Sequence, residues 1–132
     1  MPVRSSSSSV LAWPKKNAVE KALVDWAAEL CTRWTQLLGV GYFGSYSRGD
    51  WGVGSDLDVL LVTDASEVPF ERRAAMLDTA ALPVPVDALV YTRAELQDMA
   101  RQEGRFSRTL RRELRWAWRR EGFDGLPAPP PS

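Results

Sequence analysis

The sequence predicts an α/β (α+β) fold in which a small mixed β-sheet is packed by helices. Helical patterns of apolar residues alternate along the chain with short apolar runs of strand type. Glycines follow two of the helical patterns, at Gly39 and Gly104. The 132 residues, 45% of them hydrophobic, suffice for one core but not for a catalytic domain with a separate substrate domain.

The composition predicts one domain between two irregular ends. Residues 1–14 include five consecutive serines and are predicted to form a flexible arm. Residues 122–132 are rich in proline and are predicted to be a disordered tail. The domain itself therefore covers residues 15–121.

The first predicted element is an amphipathic helix over residues 18–38. Its apolar residues recur at intervals of three and four and comprise Val19, Leu23, Trp26, Leu30, Trp34 and Leu37. Asn17 followed by Glu20 predicts a capping box at its start. Gly39 is expected to end it.

Strands and shorter helices are predicted in the next part of the chain. The strands are expected at residues 40–43, 57–62 and 84–91. The helices between and after them are expected at residues 45–50, from a cap at Ser66 to about residue 80, and at 93–103. Thr92 and Glu95 predict a capping box for the last of these.

A last helix is predicted from Phe106 to the tail. Its apolar stripe consists of Phe106, Leu110, Leu114, Ala117 and Trp118. The other side carries Arg105, Arg108, Arg111, Arg112, Arg115, Arg119 and Arg120. Such a face is either solvated or a surface for RNA or an acidic partner, and Trp116 among the arginines favours a contact surface.

The composition also excludes several kinds of chemistry. There is no histidine, which excludes Ser-His triads and zinc-histidine sites, and the single cysteine excludes a disulfide framework. The chain has 17 basic residues (Lys and Arg) and 17 acidic residues (Asp and Glu), so it has no net positive charge that would attract nucleic acid. No apolar run approaches the roughly 18 residues that span a bilayer, so a cytoplasmic protein with no membrane contact is expected.

Three aspartates form the first candidate site. Asp56 and Asp58 are two residues apart at the start of a predicted strand, so both carboxylates point to one face. Asp87 lies on another predicted strand. Read alone, the pair could be a solvated strand entry, or it could share a proton or bind a divalent cation. Three carboxylates around two magnesium ions would suit phosphoryl or nucleotidyl transfer.

A glycine-serine turn forms the second candidate site. Gly44 allows close approach of the backbone to a phosphate, and a turn that opens a helix points amide groups at an anion. Ser45, Ser47 and Arg48 add polar groups, although Arg48 could instead pair with Asp50.

The glycines at positions 39, 41 and 44 match the spacing of a dinucleotide fingerprint. That motif must follow a strand and open a helix, whereas this one follows a helix and is itself strand-like. We therefore reject a dinucleotide site.

Together, GSYSRG at 44–49, SDLDV at 55–59 and VDAL at 86–89 resemble the minimal nucleotidyltransferases (MNT) of the DNA polymerase beta superfamily. The resemblance covers about residues 15–103 and departs at Ser47, where the family often has alanine. It implies a polymerase-beta-like nucleotidyltransferase core whose Gly-Ser turn holds the triphosphate of ATP. It also implies that Asp56, Asp58 and Asp87 bind two Mg²⁺ ions.

The resemblance further implies a partner. Many family members of this size pair with a HEPN-domain toxin and act as antitoxins by transferring AMP from ATP to it. The alternative is a non-catalytic binding module that neutralises a HEPN ribonuclease by complex formation. The short chain argues against a small-molecule nucleotidyltransferase, whereas homo-oligomer formation and RNA contact through the arginine-rich helix or the partner stay open.

Overall fold

The computed structural model describes residues 14–128, so the predicted N-terminal arm and the last four residues lie almost wholly outside it. A mixed sheet of four strands is covered by helices on both faces. The predicted α/β fold with a small mixed sheet is therefore confirmed.

The elements follow one another in the order α1 (Lys16–Arg33), β1 (Leu37–Phe43), α2 (Ser45–Arg48), β2 (Leu57–Thr63), α3 (Phe70–Arg73), β3 (Val86–Thr92), α4 (Arg93–Gln102), α5 (Arg105–Glu113) and β4 (Arg115–Arg119). A short 3₁₀-helix, Ala74–Met76, continues α3. The order of the strands across the sheet is β3-β2-β1-β4. β1 is antiparallel to β2 and to β4, whereas β2 and β3 are parallel.

The core has two layers, one on each face of the sheet. On the first face, α1 packs its Val19, Leu23, Trp26 and Ala27 against the sheet. On the second face, α4 and α5 contribute Leu96 and Leu110, which pack on Leu60 and Val62 of β2. β1 and β2 are buried along most of their length because both faces are covered. The prediction that β2 is a covered central strand is confirmed.

α1 is shorter than predicted, and the strand after it is longer. Leu37 and Leu38, which are expected as the last two residues of the helix, are instead buried in β1 on opposite faces of the sheet. The predicted capping box does not form, since α1 begins after Lys15 without a side-chain cap. Glu20 instead accepts a hydrogen bond from the Tyr42 hydroxyl and so ties α1 to β1.

The prediction of one long C-terminal helix is wrong. α5 ends at Glu113, and β4 pairs with β1, which would otherwise be an edge of the sheet. Val40 is opposite Trp118 while Gly41 is opposite Trp116, so Ala117 is the extra residue of a bulge. The bulge places the two tryptophans on opposite faces, which explains why the apolar spacing imitates a helix.

Trp116 is accordingly part of the core and not an exposed contact residue. Its ring packs edge-on against Phe123 and covers Gly39 and Gly41 of β1. A Cβ atom at Gly39 would lie 2.8 Å from the Trp116 ring, and one at Gly41 would lie 2.9 Å from the Arg115 carbonyl oxygen. These two glycines therefore allow β4 and its side chains to approach β1.

Part of the segment that the sequence predicts to be a disordered tail contacts the core, and the tail as a whole stays a prediction. Phe123 is only 9% exposed and packs with Leu38, while Leu126 is half-buried on the same cluster. Gly122 and Gly125 have φ of +90° and turn the chain back onto the sheet. Residues 122–128 are thus packed on the domain.

The segment after β2 is held by a buried arginine and not by the long helix that the sequence predicts. Arg73 of α3 is 8% exposed and donates to the carbonyl oxygens of Val68 at 2.7 Å and Val90 at 3.0 Å. Its guanidinium also donates to both carboxylate oxygens of Glu95, at 2.5 and 3.1 Å. Glu95 completes the capping box with Thr92, which confirms that prediction. Within residues 14–128, no helix is long and apolar enough to cross a membrane.

We expect Glu95→Ala to lower the free energy of unfolding by about 2–4 kcal/mol, because it leaves the buried Arg73 guanidinium without its anion. Urea unfolding of the purified variant would measure the loss. The matched control is Asp64→Ala, which breaks the exposed pair with Arg93 and should cost below about 1 kcal/mol. Equal losses in the two variants would contradict the structural role of Arg73.

The same ion pair predicts a pH dependence. The hydrogen bond from Arg73 lowers the pKa of Glu95 below its ordinary value of 4.5. The stabilisation is therefore complete above pH 4.5 and is lost as the pH falls through that value towards the folded-state pKa. The difference in unfolding free energy between the wild type and Glu95→Gln should shrink across this acidic range. A difference that stays constant down to pH 3 would contradict it.

Candidate active site

The candidate site begins where β1 ends. Gly44 has φ of +79° and ψ of −149°, a conformation that essentially only glycine adopts, and it turns the chain from β1 into α2. The amide groups of Ser47 and Arg48 donate to the Gly44 carbonyl oxygen at 3.0 and 2.9 Å, which closes the single turn of α2. The Gly44 amide itself donates to Oε1 of Glu113 at 3.1 Å.

Below the turn, Tyr46 is fully buried and Trp51 stacks on it with ring centroids 5.5 Å apart. Trp51 is half-buried and joins the core cluster that contains Val59. In the structure it supports the turn from the side of the core.

The sheet brings Asp58 and Asp87 together. They are direct partners in the parallel pairing of β2 with β3. Asp58 shares its face with Leu60 and Val62, and Asp87 shares its face with Leu89 and Tyr91, all of which belong to the second core layer. Both carboxylates therefore lie on the same face, at the end of the sheet where β2 begins. Asp56 immediately precedes β2 and is exposed.

The turn and the carboxylates meet at one point. β1 and β2 pair so that Phe43 is opposite Asp58, which places Gly44 directly beside the Asp58 side chain. A Cβ atom at Gly44 would overlap Oδ2 of Asp58 and lie 3.2 Å from its Cγ. Gly44 is thus required both by its backbone conformation and by the close approach of this carboxylate.

Asp58 is in an unfavourable position for a negative charge. Burial raises its pKa above the ordinary value of 3.8, and repulsion from Asp87 and Asp56 raises it further. Arg48 acts in the opposite direction, whereas Glu113 adds to the repulsion. The carboxylate would be stabilised by a cation beside it.

The donor set fits magnesium in chemistry and in charge. Asp56, Asp58 and Asp87 supply oxygen atoms, which are the ligands that Mg²⁺ prefers. Among residues 14–128, however, no three acidic, histidine or cysteine side chains are gathered closely around one point as a finished metal site would have them.

The other predicted site residues have different surroundings. Ser45 is half-buried at the start of α2. The Ser47 hydroxyl is buried and donates to the backbone carbonyl oxygen of Glu113, so it holds α5 against the turn. Arg48 is exposed and donates to Asp50 at 3.0 Å, the pairing that the sequence raised as an alternative. It also donates to the Glu113 carboxylate at 3.2 Å, so its guanidinium still lies beside the turn.

Glu113 is the residue of this site that sequence reasoning missed. Its Oε1 atom accepts a hydrogen bond from the Gly44 amide at 3.1 Å as well as the one from Arg48. In the sequence it appears only as an acid that offsets part of an arginine-rich face. The contact depends on how α5 packs against β1, 69 residues away in the chain, and no local pattern indicates it.

The family description "nucleotidyltransferase domain" matches residues 26–116. No protein with a curated description matches the sequence significantly.

Three solved structures are similar to the fold. A proposed nucleotidyltransferase from Sulfolobus solfataricus is 25% identical, with a TM-score of 0.58 over 84% of this chain and 90% of that one. A mutant of the toxin-antitoxin MntA-HpeT is 18% identical, with a TM-score of 0.51 over 74% of each chain. A toxin-antitoxin with AMP-PNP, also 18% identical over 74% of each chain, has a TM-score of 0.48.

The matched residues 26–116 contain the Gly44 turn, all three aspartates and Glu113, and they make up more than half of the chain. The chain therefore belongs to the nucleotidyltransferase domain family.

Proposed function

We propose that this protein is a magnesium-dependent nucleotidyltransferase that transfers AMP from ATP to a hydroxyl group of a partner protein. The observation that carries the proposal is the contact between the Gly44 turn and the Asp58 carboxylate. A group that binds phosphate and a group that binds cations meet there, as a metal-nucleotide complex requires.

The turn is the proposed triphosphate site. The Gly44 amide, the Ser45 hydroxyl at the start of α2 and the Arg48 guanidinium are donors of the kind that bind phosphate oxygens. Ser47 has a supporting role, since its hydroxyl is committed to the Glu113 carbonyl oxygen. The sequence alone predicts Ser47 as a nucleotide contact together with Gly44, Ser45 and Arg48.

Asp56, Asp58 and Asp87 are the proposed metal ligands and catalytic groups. Bound Mg²⁺ would neutralise charge on the phosphates and on the leaving pyrophosphate. Asp58 and Asp87 lie side by side, so both carboxylates are placed to accept a proton at one point. The acceptor oxygen attacks the α-phosphorus, its proton passes to this pair, and the bond between the α-phosphorus and the bridging oxygen breaks to release pyrophosphate.

The proposed acceptor is a HEPN-domain toxin, which would make this protein an antitoxin. The basis is the resemblance of the sequence to the minimal nucleotidyltransferases, together with the fold shared with the MntA-HpeT toxin-antitoxin. The structure offers a surface for such a partner beside the site. Arg105, Arg108 and Arg112 are exposed on α5, the helix that carries Glu113.

Removing the two carboxylates at the start of β2 tests the chemistry. We expect Asp56→Ala, Asp58→Ala to abolish the transfer of labelled AMP to the cognate partner, a loss of at least about 1,000-fold. The measurement is incubation of both proteins with α-labelled ATP and Mg²⁺, followed by gel separation. The matched control is Asp64→Ala, which removes an exposed acid at the opposite end of β2 and should leave labelling unchanged.

The alternative function, neutralisation by binding alone, predicts a different result. A double variant that forms the complex and silences the partner as the wild type does would favour that alternative. Equal labelling of the partner by the double variant and the wild type would sink the proposed mechanism.

A second test concerns the turn. Gly44→Ala places a methyl group against Asp58 and strains the backbone, so we expect transfer to fall about 100-fold, the cost of a misplacement on the order of 1 Å. The matched control is Gly49→Ala. Gly49 also has positive φ, at +87°, but a Cβ atom there meets nothing within 4 Å. It should therefore lose stability but keep most of the transfer rate per folded molecule, and equal losses of rate would contradict the role given to Gly44.

A further inference from the structure

The phosphate-binding donors of the turn are already engaged by a carboxylate of the chain itself. Oε1 of Glu113 accepts from the Gly44 amide at 3.1 Å and from Nη1 of Arg48 at 3.2 Å. These are a backbone amide beside a guanidinium, a combination that suits any compact oxyanion. The Glu113 oxygen therefore stands where an oxygen of a bound phosphate would be expected.

The position of Glu113 is fixed by the fold. Its carbonyl oxygen accepts the buried Ser47 hydroxyl, and the amide of the next residue, Leu114, donates to Leu110 at 2.8 Å. The Glu113 side chain is only 12% exposed, whereas that of Arg48 is 47% exposed. The carboxylate is thus held at the turn by a rigid helix end.

The negative charge of Glu113 is unfavourable at this position because other acidic residues lie nearby. The Glu113 carboxylate accepts from Gly44, the residue that the Asp58 carboxylate also approaches, so it adds a further negative charge to a site that already has three acidic residues. Arg48 could pair with Asp50 alone, at 3.0 Å, without bringing this charge in. The Gly44 amide and Arg48 must therefore compensate Glu113, and they are the groups that a nucleotide would need.

We infer that Glu113 is an internal occupant of the phosphate site, which an incoming polyphosphate must displace. This inference rests on the proposed nucleotide-binding function of the turn. It makes Glu113 a residue that determines specificity. Every anion that binds these donors must displace the Glu113 carboxylate, and a polyphosphate offsets this cost better than inorganic phosphate because its further phosphate groups make additional contacts, so the site favours triphosphates over monophosphates and inorganic phosphate.

The test measures binding of inorganic tripolyphosphate, at a fixed concentration of Mg²⁺, by isothermal titration calorimetry. Glu113→Gln keeps the size of the side chain but removes its charge, and it should bind tripolyphosphate roughly fivefold to tenfold more tightly than the wild type. Glu113→Asp keeps the charge, but its side chain is one methylene shorter. Because the backbone at this position is held by Ser47, the shorter carboxylate should not reach the Gly44 amide and Arg48. This variant should also bind more tightly, by about twofold to fivefold.

The control variant is Glu121→Gln, which removes the same charge from an exposed position beyond the other end of β4. It should bind as the wild type does. Thermal unfolding of all variants, followed by circular dichroism, identifies any that are not folded. Because Gln can still accept the Gly44 amide, the Glu113→Gln variant is expected to remain folded.

Each other outcome overturns the inference. If Glu113→Asp binds as the wild type while Glu113→Gln binds more tightly, Glu113 weakens binding only by electrostatic repulsion and does not occupy the phosphate-binding donors. If both bind more weakly, Glu113 positions Arg48 and does not compete for its donors. If tripolyphosphate binds to none of the proteins, the proposed nucleotide site falls and this inference falls with it, whereas equal binding by all of them overturns the inference alone.

Discussion

The candidate site depends on holding the half-buried carboxylate of Asp58 beside the backbone of Gly44, against the repulsion of Asp56 and Asp87. Burial of a charge near like charges is unfavourable, so it has to be offset by the rest of the fold. β2 provides that offset, since six of its seven residues are buried between two core layers. The end of β2 that carries Asp58 is held in place because the rest of the strand is buried in the core. This is the usual relation between a functional site and the stable element that carries it.

The charges of the site also affect the hydrogen-bond donors around Gly44. The site combines four acidic residues with one arginine, so it carries an excess of negative charge. Such a site attracts cations, but it repels a bare polyphosphate. Glu113 increases both effects because it adds charge and also engages the Gly44 amide. A nucleotide that binds at the turn, as proposed, would therefore have to arrive together with its counter-ions.

The sequence predicted the parts of the site that are local and missed those that depend on tertiary packing. Asp56 and Asp58 are separated by one residue, and the strand after them is apolar, so both could be read directly. The capping box of Thr92 and Glu95 is equally local. β4 was mistaken for helix because the bulge at Ala117 converts a strand pattern into helical spacing. The contact of Glu113 with Gly44, and the packing of Phe123 in the supposed tail, arise only when distant segments come together.

The correction of the C-terminal segment also changes the interpretation of its arginines. Arg111 pairs with Glu103, and Arg120 donates to the Leu37 carbonyl oxygen, so both have structural roles. Arg115 and Arg119 stand at the two ends of β4, where charged residues on a short edge strand discourage pairing with other chains. The surface that remains for an acidic partner is the exposed side of α5, formed by Arg105, Arg108 and Arg112. This surface runs along α5 as far as Arg112, which directly precedes Glu113, so the proposed partner surface adjoins the Gly44 turn.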